Sequence, residues 1–303
     1  MIGGEKTETG IINTRRRTQE IMKTLGYYNG KIDELDRMMI PMNDRSSYFG
    51  DGVYDATYCR NYKIFALDEH IDRFLRSAAL LRIEVAQSKE ELRDLLNELV
   101  RKLDDDEQFV YFQATRGTGM RDHVFPQDGS KANLWVTLTP RKIMDIDKKL
   151  KLVTMEDTRF LHCNIKTINL IPSVMASQRA KEHGCQETVF HRGDRVTECA
   201  HSNVHILKDG VFRTAPTDCY ILPGIARAHL ISACGRLGVP VDETAFTLEE
   251  LMAADEVIVS SSGCLGLAAD EIDGKPVGGK APELLKKIQN EVWNEFMTET
   301  AAD

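Results

Sequence analysis

Apolar and polar positions change period several times along this chain, and each change marks an element. Tyr27-Tyr28-Asn29-Gly30-Lys31-Ile32 alternates around an Asn-Gly pair, whose residues accept the left-handed backbone of a two-residue turn, so a β-hairpin is predicted from Gly26. Val53 to Phe65, interrupted at Arg60-Asn61, predicts a second hairpin. The period then shifts to that of a helix. Ile71, Phe74, Leu75, Ala78 and Leu81 form one apolar stripe behind Asp68, which is expected to be the N-cap. Ser88-Lys-Glu-Glu91 has the spacing of a capping box and opens a second helix through Leu95, Leu96, Leu99 and Leu103. Phe109 to Arg116 and Asn133 to Leu138 read as strands, giving a small α+β domain over residues 21–140.

Periodicity lapses in the charged run 141–149, the expected linker, and resumes at Leu150. Beyond it, helices over Ser173 to His183 (stopped by Gly184), Gly224 to Leu237 and Thr247 to Ala253 (a second capping box, Thr247 to Glu250) are interleaved with strands. The strands are Thr188 to Phe190, Asn203 to Leu207, Val211 to Arg213 and Glu256 to Ser260, and an amphipathic helix over Ala281 to Met297 closes the chain. The expectation is an α/β protein: a small α+β N-terminal domain, then a larger α/β domain over residues 150–303. Residues 1–20, rich in Gly, Thr, Glu and Arg without periodicity, read as a tail.

With 303 residues, 42% of them hydrophobic, the chain can bury two cores. A formal charge of −8 argues against a nucleic-acid partner, since a phosphate backbone calls for a basic face. The seven cysteines are odd in number and scattered, with no C-x-x-C pair and no metal-ligand spacing, so no metal is expected and the thiols suit a reducing cytoplasm. No run approaches the roughly 18 apolar residues of a membrane span, and the Met-Ile-Gly-Gly-Glu start lacks a signal-type core, which points to a cytoplasmic protein and no membrane partner.

The candidate chemistry centres on Lys166, an amine set among Ile165, Ile168, Leu170 and Ile171 and so expected to be displaced from solvent. Desolvation disfavours the ammonium form and frees a lone pair for attack on a carbonyl, although most such lysines only extend their charge to the surface. Glu198 follows at the end of a short strand. An anion there could keep a pyridine nitrogen protonated, or could equally be a solvated strand-end charge. Leu222-Pro-Gly-Ile225 leads into a helix whose first amides, at Gly224 and Ile225, could hold a phosphate, and Ser260-Ser-Ser-Gly263 offers hydroxyl donors. Arg73 could meet a phosphate in fork geometry or pair with Asp72 or Glu69.

Taken in order, Phe49-Gly-Asp-Gly-Val-Tyr54, Glu69-His-Ile-Asp-Arg73, Asn164-Ile-Lys-Thr-Ile-Asn-Leu170, Val196-Thr-Glu198 with Ser202-Asn-Val204, and Leu222-Pro-Gly-Ile225 resemble the signature of the fold-type IV (class IV) pyridoxal-phosphate aminotransferases. Within that family the chain is most similar to the D-amino-acid branch, because Arg121 and His123 in Arg116-Gly-Thr-Gly-Met-Arg-Asp-His123 match that branch's carboxylate trap. The resemblance implies pyridoxal 5'-phosphate as cofactor, with Lys166 as the catalytic residue that holds it and shuttles the α-proton. It implies Glu198 at the ring nitrogen, Leu222 against the ring, and Arg73, Gly224, Ile225, Ser261 and Ser262 at the phosphate. Tyr54, Arg121 and His123 would bind the substrate carboxylate, and the Arg121/His123 loop would reach the neighbouring site of a homodimer. The implied reaction is ping-pong transfer between D-amino acids and 2-oxo acids, with branched-chain L-amino-acid transamination, aminodeoxychorismate lyase activity or a non-catalytic relative as alternatives. Cys199-Ala-His201, Ala226 and Gly263-Cys-Leu-Gly266 depart from the hydroxyl-rich family pattern.

Overall fold

A computed structural model describes residues 22–127 and 129–302, so the expected N-terminal tail lies outside the described residues. The Asn29-Gly30 turn, both residues at positive φ, joins β1 (Leu25–Tyr28) to β2 (Lys31–Asp33) as the sequence predicts. After the short α1 (Arg45–Phe49), β3 (Gly52–Arg60) turns through Asn61 and Tyr62 into β4 (Lys63–Ile64), one residue later than expected. Two helices follow, α2 (Leu67–Leu80) and α3 (Lys89–Val100), then β5 (Gln108–Thr115) and β6 (Asn133–Pro140). These six strands make one antiparallel sheet in the order β2-β1-β6-β5-β3-β4. The apolar stripe of α2 covers it, with Phe74 edge-on to Phe112 at 5.0 Å.

Two local expectations need correction. Asp68 is not the N-cap of α2: the chain enters from Ala66 at φ 50°, whose N–H is taken by the Glu299 carboxylate at 2.8 Å. Asp68 sits in the first turn and pairs with Arg93 at 2.7 Å, where its charge still complements the helix dipole. The Ser88/Glu91 capping box forms as predicted, but α3 ends at Val100, and Leu103 joins the core from the turn beyond.

The second sheet begins with β7 (Leu150–Glu156). The helix α4 (Ile171–Glu182) is followed by β8 (Glu187–Arg192), β9 (Arg195–Cys199), β10 (Asn203–Lys208) and β11 (Val211–Thr214), the last two joined by an Asp209-Gly210 turn at positive φ. Then come α5 (Ile225–Leu237), β12 (Val241–Asp242), α6 (Leu248–Ala253) with its Thr247/Glu250 capping box, β13 (Glu256–Ser260), β14 (Leu267–Ile272), β15 (Lys275–Pro276) and α7 (Pro282–Glu299). The path runs β12-β11-β10-β13-β14-β7-β8-β9, with β15 on β14; β7 lies parallel to both β14 and β8. Strands β7 and β14 are not among those the sequence predicts. Leu230 of α5 and Ile288, Val292 and Phe296 of α7 share a core with Ile206 and Ile258 of the sheet.

We propose that the two sheets, each with its own core, are the two domains, with 141–149 between them. They meet along β3. Val53 and Cys59 face the first core, whereas Tyr58 packs in the second, where Phe65 also meets Phe296 at 5.2 Å. That alternation, period two along a strand, turns Tyr54, Ala56 and Tyr58 towards the space between the sheets.

Candidate active site

The space between the sheets is a cavity of about 490 Å³, within the usual range for small-molecule sites. Lys166 reaches it from the segment between β7 and α4. Its backbone is pinned on both sides, Tyr54 N–H donating to the Lys166 carbonyl at 3.0 Å and Lys166 N–H donating to Ser77 Oγ at 3.3 Å. Its Nζ stands 4.4 Å from the centre of the Tyr54 ring. The expectation of a solvent-displaced amine is corrected here: Lys166 is half-buried, and Leu170 and Ile171 are themselves exposed. The amine faces an open cavity; Ile165 packs against the first core, while Leu170 and Ile171 lie at the surface.

Glu198, at the end of β9, is buried opposite. Its Oε1 accepts from Arg159 Nη1, and its Oε2 accepts from Asn203 Nδ2 at 2.9 Å and from Leu222 N–H at 3.0 Å. Burial pushes its carboxyl up to about 7, against the opposing pull of the Arg159 guanidinium, the Leu222 amide and the Lys166 charge. Arg159 is itself held by Asp157 at 2.9 Å and lies over the Phe190 ring at 4.6 Å. The carboxylate is therefore fixed from three directions and gains from any further positive neighbour.

Arg73 does not pair with Asp72 or Glu69, either of which the sequence allowed. Its Nε and Nη2 fork onto Asp55 at 2.8 and 2.7 Å, and Nη1 donates to the Pro223 carbonyl at 3.3 Å. Asp55 also holds His70 Nδ1 at 2.7 Å. Burial would raise the Asp55 pKa, but the Arg73 and His70 charges outweigh it and hold the carboxyl well below the usual range. His70, Arg73 and Ser77 lie on one face of α2, so one helix orients both the guanidinium and the Lys166 backbone.

Helix α5 opens on the same cavity. Its N-cap, Gly224, offers no side-chain cap, leaving the first amides of the helix without acceptors of their own. A Cβ at Gly224 would lie 2.1 Å from Asn203 Oδ1, so only glycine allows Asn203 to bridge Glu198 and the Leu222 carbonyl. Leu222, Gly224, Ile225, Ser261 and Ser262 all line the cavity with Tyr54, Arg73, Lys166 and Glu198. The sequence reading assigned no role to Asp55, Ser77, Arg159 or Asn203. The even-odd alternation of β3 was the available signal for Asp55, and nothing local marks Arg159.

Arg121 and His123 are exposed and do not line this cavity. Both lie against Phe49, at 5.5 and 5.0 Å, so they do project to a common side. His201, one of the departures from the family pattern, lines the cavity with Nδ1 2.7 Å from the buried Glu187. Its surroundings disfavour the charge, but the Glu187 hydrogen bond and charge prevail and raise its pKa.

A sequence profile described as Amino-transferase class IV matches residues 52–272, most of the chain and every element that builds the cavity. The chain belongs to the class IV aminotransferases. This aminotransferase is 38% identical over 265 residues to the D-alanine aminotransferase of Listeria monocytogenes serotype 4b (strain F2365), covering 86% of this chain and 92% of that one. It is 35% identical over 274 residues to the D-alanine aminotransferase of Staphylococcus haemolyticus, covering 89% and 97%. In solved structures the fold is shared with the branched-chain amino acid aminotransferase from Escherichia coli, at TM-score 0.80 and 24% identity over 92% of this chain and 96% of that one. It is shared also with an aminotransferase from Brucella abortus bound to the co-factor PLP, at TM-score 0.81 and 22% identity over 90% and 99%.

Proposed function

We propose that this class IV aminotransferase is a pyridoxal-5'-phosphate enzyme that exchanges nitrogen between D-amino acids and 2-oxo acids. The observation that carries the reading is the convergence of the Lys166 amine, the Glu198 carboxylate and the uncapped start of α5 on one cavity. The donor set fits the cofactor: an amine for its aldehyde, a buried acid with a raised pKa for its ring nitrogen, and amides, hydroxyls and an anchored guanidinium for its phosphate. Bound there, the cofactor supplies the carbonyl that takes up nitrogen and the electron-poor ring that stabilises charge at the substrate's α-carbon.

The chain's own groups do the rest. Lys166 would hold the cofactor through its aldehyde and would move the proton at the substrate α-carbon, its backbone fixed by Tyr54 and Ser77. Glu198 would pair with the ring nitrogen and favour its protonated form, and that cation would in turn favour the ionised carboxylate. Leu222 would pack on the ring, while Arg73, the Gly224 and Ile225 amides, Ser261 and Ser262 would hold the phosphate. Tyr54 donates to the substrate carboxylate. One D-amino acid leaves as its 2-oxo acid, and a second 2-oxo acid takes the nitrogen away. Arg121 and His123, outside their own chain's cavity, complete the carboxylate site of a second copy in a homodimer.

Wild-type enzyme with D-alanine and 2-oxoglutarate should yield pyruvate, while L-leucine should donate nothing; transfer from L-leucine alone would replace this reading with the branched-chain one. Lys166→Ala should lose about 10²–10⁴-fold in kcat. It should also lose the borohydride-fixable visible absorbance of the wild type, and retention of that absorbance would remove Lys166 from its role.

A further inference from the structure

A row of buried polar side chains runs behind the start of α5. Asn203 and His205, two apart on β10, share one face of the sheet, with Ser260 opposite Asn203 on β13 and Thr214 opposite His205 on β11. His205 Nε2 lies 2.8 Å from Ser260 Oγ, its Nδ1 lies 2.8 Å from Thr214 Oγ1, and Thr214 Oγ1 accepts from Arg227 Nε at 3.2 Å. Arg227 belongs to the first turn of α5, and its Nη2 donates to the Ala215 carbonyl and the Glu243 carboxylate. Asn203 and Ser260 line the cavity, whereas His205, Thr214 and Arg227 lie behind it.

The proton positions follow from the donors available. Burial and the nearby Arg227 charge push the His205 imidazole down to about 3, so at neutral pH it is uncharged, with one N–H and one acceptor nitrogen. The guanidinium can only donate, so Thr214 Oγ1 accepts from it and still has its own proton to give. Thr214 is 1% exposed, and among the described residues its hydroxyl meets only Arg227 and His205 Nδ1. Thr214 therefore donates to Nδ1, which puts the imidazole N–H on Nε2, where it donates to Ser260 Oγ. The Ser260 proton is then left over. Ser260 is 1% exposed and its hydroxyl has no second partner among the described residues, so the cavity wall holds a buried donor that lacks an acceptor. The reverse tautomer would strand the Thr214 proton instead, behind the cavity, where no ligand could take it up.

We propose that Ser260 donates to the cofactor phosphate, with His205 and Thr214 as positioning residues that transmit the orientation set by Arg227 to its hydroxyl. The assignment rests on the pyridoxal-phosphate reading of the cavity. Ser260 stands opposite Asn203, whose side chain abuts Gly224 at the uncapped start of α5. Gly224, Ile225 and Ala226, which open that helix, have no hydroxyl, so a donor from the sheet adds to their amides.

The test compares pyridoxal 5'-phosphate with pyridoxal, which has the same ring and aldehyde without the phosphate. Ser260→Ala should weaken binding of pyridoxal 5'-phosphate to the apoenzyme by about 10- to 100-fold and of pyridoxal by less than about 3-fold. His205→Phe, which keeps a ring against Phe212, should show the same selectivity. Thr214→Val, which removes the proton donor to Nδ1 and lets the imidazole reverse, should show it to a smaller degree, and Thr214→Ser should restore wild-type affinity. Variants that merely loosen the fold would bind both compounds less well. Equal weakening of the two by Ser260→Ala, or no weakening of either, would overturn the assignment. If wild type binds neither compound, the cofactor reading fails, and inorganic phosphate becomes the probe. Phosphate binding that Ser260→Ala weakens by about 10-fold then upholds the hydroxyl as an anion donor, while equal binding by the two proteins, or none, refutes it.

Discussion

Asp55 shows how a residue that touches no ligand can govern one that does. It is fully buried, and its two oxygens fix Arg73 in the orientation that aims Nη1 at the turn before α5. Asp55→Asn should therefore cost about 3–5 kcal/mol at pH 7, because it leaves Arg73 buried without its counter-charge. The pH dependence has a definite sign. A carboxyl whose folded pKa is depressed stabilises the fold above its unfolded pKa of about 3.9 and loses that contribution as pH falls below it. Denaturant unfolding of the two proteins should show the gap at neutral pH and its narrowing below about pH 4. A gap that stays constant with pH would mean that packing, not charge, is what Asp55 supplies. Glu198 behaves in the opposite sense: its raised pKa makes the ionised form the costly one above the ordinary carboxylate range, until a cation arrives.

Two helix starts separate local stability from function. Ser88 caps α3 far from the cavity by accepting from Glu91 N–H at 3.2 Å, and Ser88→Ala should cost about 1 kcal/mol while leaving cofactor affinity unchanged. Gly224 starts α5 with no cap, and its missing side chain is the space Asn203 fills. Gly224→Ala should cost about 1–3 kcal/mol through overpacking and, unlike Ser88→Ala, should weaken pyridoxal-phosphate binding, because Asn203 must release Glu198 or Leu222. Thermal melts and cofactor titration of the two variants distinguish these outcomes; unchanged affinity in Gly224→Ala would detach the helix start from the phosphate. Helix α2 adds a third relation, because His70, Arg73 and Ser77 share its buried face and tie the Asp55 network to the Lys166 backbone.

For the whole molecule, the position of Arg121 and His123 outside their own cavity makes the proposed dimer testable by complementation. Lys166→Ala and Arg121→Ala should each be inactive alone. Mixed and refolded together, they should regain activity, since a mixed dimer assembles one site from an intact Lys166 and the other chain's intact Arg121. No recovery would place Arg121 in its own chain's chemistry or in none. Exposed Ile171, Val174 and Met175 on one side of α4 offer apolar surface for such an association.

By itself the sequence determined the turn at Asn29-Gly30, both capping boxes and most helices, because those signals act between residues a few positions apart. It also set out the ordered motifs around Lys166 and Glu198. Only the tertiary structure decided the rest. The parallel register of β7 with β14 joins residues as distant as Leu150 and Ala269, and no local pattern encodes it. Arg159 on Glu198, Asp55 on Arg73, the left-handed Ala66 entry that displaced Asp68 from its cap, and the half-open setting of Lys166 are all consequences of packing. A charge chooses its partner by distance and dielectric, and both are fixed only when the sheets meet.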